Sequence, residues 1–243
     1  MLDLWWWRYD SPAPAAFADL LDDAERRRAA AFRFPVHAAR FVWARGMAKS
    51  ALAAAAGVPA GRVRLVREGC PDCGGRDHGK PSAVVPGDRP GAFQFSLSHS
   101  EGHSALVLAR GHPVGLDVER IRPMAVDVLA PATLSPSERA HVADQPAGPP
   151  RSLAYLRCWT RKEAVLKASG AGVRGDLTAL EVAPAEEPAR VAHAFGSGPA
   201  HWTVAGGAVA DGLLAAVAVP EGADPAHRLR SAAALHGAGT QTR

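Results

Sequence analysis

The sequence predicts an α/β protein, which some classifications would name α+β. Stretches with helical periodicity alternate with strand-like stretches in both halves of the chain. The two halves meet near residues 111–113, where Gly-His-Pro interrupts the pattern. A length of 243 residues, 47% of them hydrophobic, allows one large domain or two small ones around a sizeable core. We therefore expect an α/β architecture in two parts.

The first half opens with a tryptophan-rich strand over Trp5 to Tyr9 and continues into helices. Asp10-Ser11-Pro12 supplies a cap and a first-turn proline for the first of them. A second helix is predicted from about His37 to Ala56, where Gly57 ends it. Val63 to Glu68 then alternates as a strand does.

A cysteine-containing insert follows, with Cys70, Cys73 and His78 as possible metal ligands. The C-x-x-C spacing resembles half of a zinc site, but a complete site needs four ligands, and no fourth stands nearby. Two free thiols in a turn are the alternative interpretation.

The second half begins with the strand V-G-L-D-V-E, residues 114–119. Its apolar side chains share one face, and Asp117 and Glu119 share the other. Two residues of strand separate the carboxylates by roughly 6.6 Å. Their repulsion at that distance is roughly 2–3 kcal/mol at an effective dielectric near 20. A divalent cation such as Mg²⁺ would offset it. Two solvated acids at a strand end are the alternative.

A helix is predicted over Leu153 to Ser169, and Glu163 falls within its apolar stripe. Lys167 lies one turn further along the same face. One interpretation is that the two residues form an ion pair on the surface. The other is that Glu163 is a third acidic ligand for the metal and that Lys167 binds phosphate. Lys162 points about 100° away from Glu163 around the helix, which makes it a weaker candidate for phosphate binding.

The net charge suggests anionic partners, and the cytoplasm is the default location. The net charge is +4, but the arginines are spread along the chain, so nucleic-acid binding is not favoured. The sequence lacks a signal-peptide pattern and an apolar run long enough for a membrane span. Three cysteines do not form a disulfide framework.

Four motifs occur in order: G-K-P at 79–81, S-L-S-H-S at 96–100, V-G-L-D-V-E at 114–119 and W-T-R-K-E-A-V-L-K at 159–167. Together they resemble the larger, single-chain (Sfp-type) 4′-phosphopantetheinyl transferases, over roughly Ala24 to Gly172. The resemblance implies Mg²⁺-dependent transfer of 4′-phosphopantetheine from coenzyme A to a serine of an acidic acyl or peptidyl carrier protein, with release of 3′,5′-ADP. It also implies a monomer that serves fatty-acid, polyketide or non-ribosomal peptide synthesis.

The resemblance further implies two similar subdomains related by a pseudo-twofold axis, with coenzyme A in the cleft between them. Residues 1–112 would form the side that holds the adenine and the 3′-phosphate. Residues 113–220 would form the metal and catalytic side, and residues 221–243 are expected to be a flexible tail.

The family's site residues are carried over onto matching positions only. Asp117, Glu119 and Glu163 would hold the metal, and Glu163, Lys167 and Asp117 would carry the chemistry, with Glu163 as general base directly or through water. The expected coenzyme A contacts are Arg28, Arg40, Lys80, Pro81, Ser98, His99 and Lys167. His99 would donate to the 3′-phosphate, and Ser98 would support a phosphate contact.

Glu138 has two possible roles that are mutually compatible. Ser135-Pro136-Ser137-Glu138 is a capping-box pattern, in which Glu138 bonds the start of a helix. The family places an acid here at the mobile rim of the active site.

Two other functions use the same features. Another Mg²⁺-dependent phosphotransferase or pyrophosphatase would act on coenzyme A or nucleotides without a carrier. A basic nucleic-acid-binding module would bind with steep salt dependence and without a metal.

Overall fold

The computed structural model describes residues 2–9, 12–69, 74–75, 79–172, 175–195, 198–210 and 212–231. The predictions for Cys70, Cys73 and His78 therefore lie outside the described residues. Within the described ranges the fold is mixed α/β, which confirms the predicted class. The helices are α1 Ala15–Asp19, α2 Asp23–Ala30, α3 Pro35–Ala56, α4 Val126–Thr133, α5 Pro136–Ala143 and α6 Pro149–Ser169. The strands are β1 Leu2–Arg8, β2 Arg64–Arg67, β3 Pro81–Val84, β4 Phe93–Ser100, β5 His103–Arg110, β6 Gly115–Arg120, β7 Ala189–Ala192, β8 His201–Ala210, β9 Leu213–Pro220 and β10 His227–Ser231.

Two four-stranded sheets organise the molecule. The first sheet has the strand order β10-β1-β5-β4, and the second sheet has the order β6-β9-β8-β7. Strands β2 and β3 form a separate antiparallel pair. The first sheet is thus built mainly from the first half of the chain, and the second sheet from the second half.

Each sheet packs one face against a long helix. Trp5 and Phe95 of the first sheet enter a core cluster with Met47 of α3. Trp202 of the second sheet enters another cluster with Leu156 of α6. Because complete burial of one large apolar side chain is worth about 1.5–3 kcal/mol, these contacts fix each helix on its sheet.

The opposite faces of the two sheets meet each other. Neighbouring residues on a strand point to opposite faces, so Leu4 leaves the cluster that Trp5 enters. It joins a third apolar cluster, to which β1, β5, β6 and β9 all contribute. The predicted apolar face of β6 lies in this cluster, with Leu116 and Val118 fully buried. The other face of β6, which carries the two acids, is directed away from this cluster.

The long helices end as the sequence predicts. Gly57 after α3 and Gly170 after α6 have φ angles of 70° and 78°, in the left-handed region that glycine adopts at low cost. The predicted capping box at the start of α5 is present, with Ser135 and Glu138 bonding each other's backbone N–H groups. No described helix combines the length and apolarity that a bilayer crossing requires.

The prediction of a flexible tail from residue 221 is wrong for residues 227–231. These residues form β10, which pairs in parallel with β1 from Leu2↔His227 to Trp6↔Ser231. The side chain of Asp3 also accepts a hydrogen bond from Arg230 at 2.8 Å. The edge of β1 provides the backbone partners that a flexible tail would lack. Residues 232–243 lie outside the described part of the chain.

Candidate active site

Strand β6 runs directly against α6 because Gly115 has no side chain. A Cβ atom at this position would lie 1.9 Å from the carbonyl oxygen of Ala164 and 2.5 Å from the backbone nitrogen of Ala168. Asp117 and Glu119 lie on the same strand face as Gly115, so they also face α6. This close approach brings the predicted strand acids next to the predicted helix residues.

Lys167 of α6 contacts Asp117 of β6 directly. Its Nζ lies 2.6 Å from Oδ1 of Asp117 and 2.9 Å from Oγ of Ser98. The lysine side chain is 30% exposed and the aspartate side chain is 6% exposed, so solvent reaches the pair from the lysine side only. The second oxygen of Asp117, Oδ2, is buried and has no hydrogen-bond partner among the described residues. A buried acceptor left in this state costs about 1–3 kcal/mol.

Glu163 lies half-buried beside these groups. Burial raises the pKa of its carboxyl, and the negative charges of Asp117 and Glu119 raise it further, while Lys167 opposes the shift. Three carboxylates are thus close enough to repel one another. Even so, the described residues contain no preassembled group of three or more acidic, histidine or cysteine side chains that could hold a metal ion.

Alternate serines of β4 bind the backbone of β6. We call Ser96, Ser98 and Ser100 the serine ladder. Their hydroxyl oxygens accept hydrogen bonds from three N–H groups of β6 at 3.0, 3.2 and 3.0 Å. The donors are Leu116, Val118 and Arg120. The ladder connects the edge of the first sheet to the edge of the second.

Two ladder hydroxyls also donate to the strand acids. Ser98 donates to Oδ1 of Asp117 and Ser100 donates to Oε2 of Glu119, both at 2.7 Å. With its bonds from β6 and Lys167, Ser98 uses its one donor and both acceptor positions inside the protein. In this arrangement Ser98 has no free donor for the phosphate that the sequence prediction assigned to it.

A pocket of about 280 Å³ gathers four of the predicted coenzyme A contacts. Arg28, Arg40, Ser98 and His99 all line it. The guanidinium of Arg28 lies 5.6 Å from the centre of the Phe41 ring, at a distance suited to a cation–π contact. Burial lowers the pKa of His99, Arg40 and Lys167 lower it further, and Asp117 opposes the shift. The pocket therefore concentrates positive charge where an anion would bind.

A second pocket, of about 250 Å³, gathers the remaining predicted contacts. Lys80, Pro81 and Lys167 line it, and Leu97 lines both pockets, so the two pockets are neighbours along β4. Nζ of Lys80 donates to the carbonyl oxygen of Ala168 at 2.8 Å, which joins the G-K-P motif to the end of α6. Burial lowers the pKa of Lys80, and Glu68 opposes this shift.

Glu138 and Lys162 lie elsewhere, in the interior of the second half. Their side chains are both 0% exposed and form an ion pair at 2.7 Å. Lys162 also donates to the carbonyl oxygens of Leu177 and Leu180. Glu138 therefore does not lie at a mobile rim, and Lys162 cannot contact a phosphate. Lys162 and Glu138 lie 24 positions apart in the sequence, so the sequence pattern gave no indication that they pair.

Comparisons with known proteins identify relatives of this chain. Residues 113–218 match the family model for the 4′-phosphopantetheinyl transferase superfamily. The 4′-phosphopantetheinyl transferase HetI of a Nostoc species is 32% identical over 221 residues, covering 88% of this chain and 86% of that protein. A phosphopantetheinyl transferase of a Thraustochytrium species is 29% identical over 167 residues, which cover 63% of this chain and 54% of that protein. The transferase AcpT of Salmonella typhi is 40% identical over 117 residues, or 46% of this chain and 57% of that protein.

Proposed function

Because the chain belongs to the 4′-phosphopantetheinyl transferase superfamily, we propose that it moves 4′-phosphopantetheine from coenzyme A to a serine hydroxyl of an apo carrier protein. Family membership makes the protein a 4′-phosphopantetheinyl transferase. The proposal adds coenzyme A as the donor, Mg²⁺ as the metal and 3′,5′-ADP as the second product. The assignment to the single-chain, Sfp-type subfamily stays a prediction.

One observation carries the proposal: each of the two pockets is lined by a side chain that binds Asp117. Lys167 lines the second pocket and contacts Asp117, while Ser98 lines the first pocket and contacts the same carboxylate. A ligand with a phosphate in the first pocket and a diphosphate near the pair matches this distribution of charge. Coenzyme A has both groups.

The residues present fit a magnesium ion. Mg²⁺ prefers oxygen ligands and is commonly held by one or two carboxylates together with phosphate oxygens and waters. Asp117 offers an oxygen without a partner among the described residues. Burial raises the pKa of Glu163, and the charges of Asp117 and Glu119 raise it further, a repulsion that a cation would relieve. The ligands would be Asp117, Glu119 and Glu163, with substrate phosphates completing the set. When bound, the ion neutralises charge on the diphosphate.

The remaining steps follow from the chain's own side chains. Glu163 accepts the proton of the carrier serine, directly or through water, as the serine oxygen attacks the β-phosphorus of coenzyme A. A new P–O bond forms, and the bond to the departing 3′,5′-ADP breaks. Lys167 provides positive charge at the oxygens where negative charge develops. Arg28, Arg40 and His99 hold the 3′-phosphate.

The proposal assigns different tasks to the two halves. Residues 1–112 hold the adenine and the 3′-phosphate, and residues 113–220 hold the metal and carry out the chemistry. The first sheet with α3 and the second sheet with α6 support this division, since each has its own core cluster. A net charge of +4 suits an acidic carrier protein as the acceptor.

The decisive experiment measures the intact mass of an apo carrier protein after incubation with coenzyme A, Mg²⁺ and this chain. We expect a mass increase equal to one phosphopantetheine, and none when EDTA is present or when the acceptor serine is replaced by alanine. Cleavage of coenzyme A without a carrier would instead favour a pyrophosphatase or another phosphotransferase. An unchanged carrier and intact coenzyme A would overturn the proposal.

A further inference from the structure

We propose that Ser98 and Ser100 are positioning residues that orient the carboxylates of Asp117 and Glu119 toward the metal. The inference rests on the proposed function, since it concerns the same Mg²⁺ site. It replaces the predicted role of Ser98 as a phosphate contact. It also gives a role to Ser100, which the sequence analysis left without one.

The geometry of each contact is the same. Each hydroxyl accepts an N–H of β6 and donates to the carboxylate of the preceding residue on that strand. The backbone bond fixes the serine oxygen relative to β6, so the second bond fixes the side chain of the acid relative to its own strand. Partners that bind a metal-ligating group from behind restrict its orientation in this way.

Each serine has a single proton and can hold a single carboxylate oxygen. Ser98 holds Oδ1 of Asp117, with Lys167 on the same atom, and leaves Oδ2 without a partner among the described residues. The free oxygen is therefore held in one orientation rather than sampling several. A carboxylate that is already oriented loses less conformational freedom when it binds a cation.

Ser96 provides a control within the same ladder. It accepts the N–H of Leu116 at 3.0 Å, as the other two serines accept theirs, and it is equally buried. The residue before Leu116 is Gly115, which has no carboxylate to orient. Removing the hydroxyl of Ser96 thus removes the link between sheets without disturbing a metal ligand.

The test measures coenzyme A binding by calorimetry, without carrier protein, in saturating Mg²⁺ and in EDTA. The ratio of the two dissociation constants gives the gain in affinity that depends on the metal. In Ser98→Ala and Ser100→Ala we expect this gain to fall by about 10-fold or more, because loss of a partner behind a metal ligand typically has that effect. In Ser96→Ala the gain should stay within a factor of about two, while all three variants lose several degrees of melting temperature because each loses a hydrogen bond between β4 and β6.

Three results would overturn the inference. If Ser98→Ala weakens binding equally in Mg²⁺ and in EDTA, its hydroxyl contacts a phosphate instead. If Ser96→Ala lowers the metal-dependent gain as much as the other two variants, the ladder acts only through packing. If the unsubstituted protein shows no gain with Mg²⁺, the metal assignment fails together with the inference, and the carrier mass assay then shows whether the transferase function stands.

Discussion

Helix α6 carries two lysine–carboxylate pairs of nearly equal length that have opposite character. Lys162 and Glu138 lie 2.7 Å apart with both side chains 0% exposed, and Lys167 and Asp117 lie 2.6 Å apart with the lysine 30% exposed. The two lysines belong to the same short motif in the sequence. The distance between lysine and carboxylate therefore does not distinguish a structural ion pair from an ion pair in the candidate active site.

The difference lies in the remaining hydrogen-bonding groups. Both oxygens of Glu138 accept backbone N–H bonds, from Ser135 and Val182 at 2.9 Å each, and Lys162 donates to two carbonyl oxygens. Asp117 instead keeps one buried oxygen without a partner in the described ranges. An ion pair whose polar atoms all have partners holds structural elements together. The Lys167–Asp117 pair lies beside two pockets and keeps an oxygen that can still bind a ligand.

Replacing Asp117 and Glu138 should show the largest difference between the two ion pairs. Asp117→Ala should lower carrier modification by on the order of 10³-fold or more, because charge stabilisation at the diphosphate is lost, and should leave unfolding nearly unchanged. Glu138→Ala should cost about 3–5 kcal/mol in the free energy of unfolding, because it leaves the ammonium of Lys162 buried and unpaired. The carrier mass assay and urea unfolding provide the two readings. Near-normal turnover by Asp117→Ala would refute the metal assignment.

The two lysines should follow the same division. Lys167→Met should lower turnover by about 10²-fold and should cost less stability than Lys162→Met, because the side chain of Lys167 is 30% exposed. Lys162→Met should destabilise the protein by about 3–5 kcal/mol, with unchanged turnover per folded molecule. Adding Glu138→Gln to Lys162→Met should recover part of the lost stability, since no buried charge is then left alone. A loss of turnover in folded Lys162→Met would place this lysine at the site after all.

Glu163→Gln should give the smallest change in stability, and the size of that change depends on pH. Because the folded protein raises the pKa of Glu163 above the ordinary value of 4.5, the neutral carboxyl is favoured in the fold. That favourable contribution is complete below the ordinary pKa and is lost as pH rises through the folded pKa. Glutamine never ionises, so the variant should melt about 1–3 °C higher than the unsubstituted protein at neutral pH and at the same temperature in acid. Equal melting temperatures at every pH would show that the fold does not raise the pKa of Glu163.

The sequence predicted the features that depend on local patterns. Periodicity and terminal glycines located α3 and α6, and alternation placed Asp117 and Glu119 on the polar face of β6. The sequence analysis missed the role of the serine ladder, although the alternate spacing of the three serines is visible. That spacing indicates that they share one face of a strand, but it does not indicate which strand they bind. The Lys162–Glu138 pair was missed because only tertiary packing brings α5 against α6.

Strand β10 has a consequence for how the chain acquires its structure. Its residues pair with β1 across almost the whole sequence, from His227 back to Leu2. During synthesis, β1 leaves the ribosome before β10 and must keep one hydrogen-bonding edge open until the residues between the two strands have been added. An exposed edge invites pairing with other chains, and contacts this distant form slowly. The open edge of β1 is thus a site of aggregation risk in the newborn protein until β10 covers it.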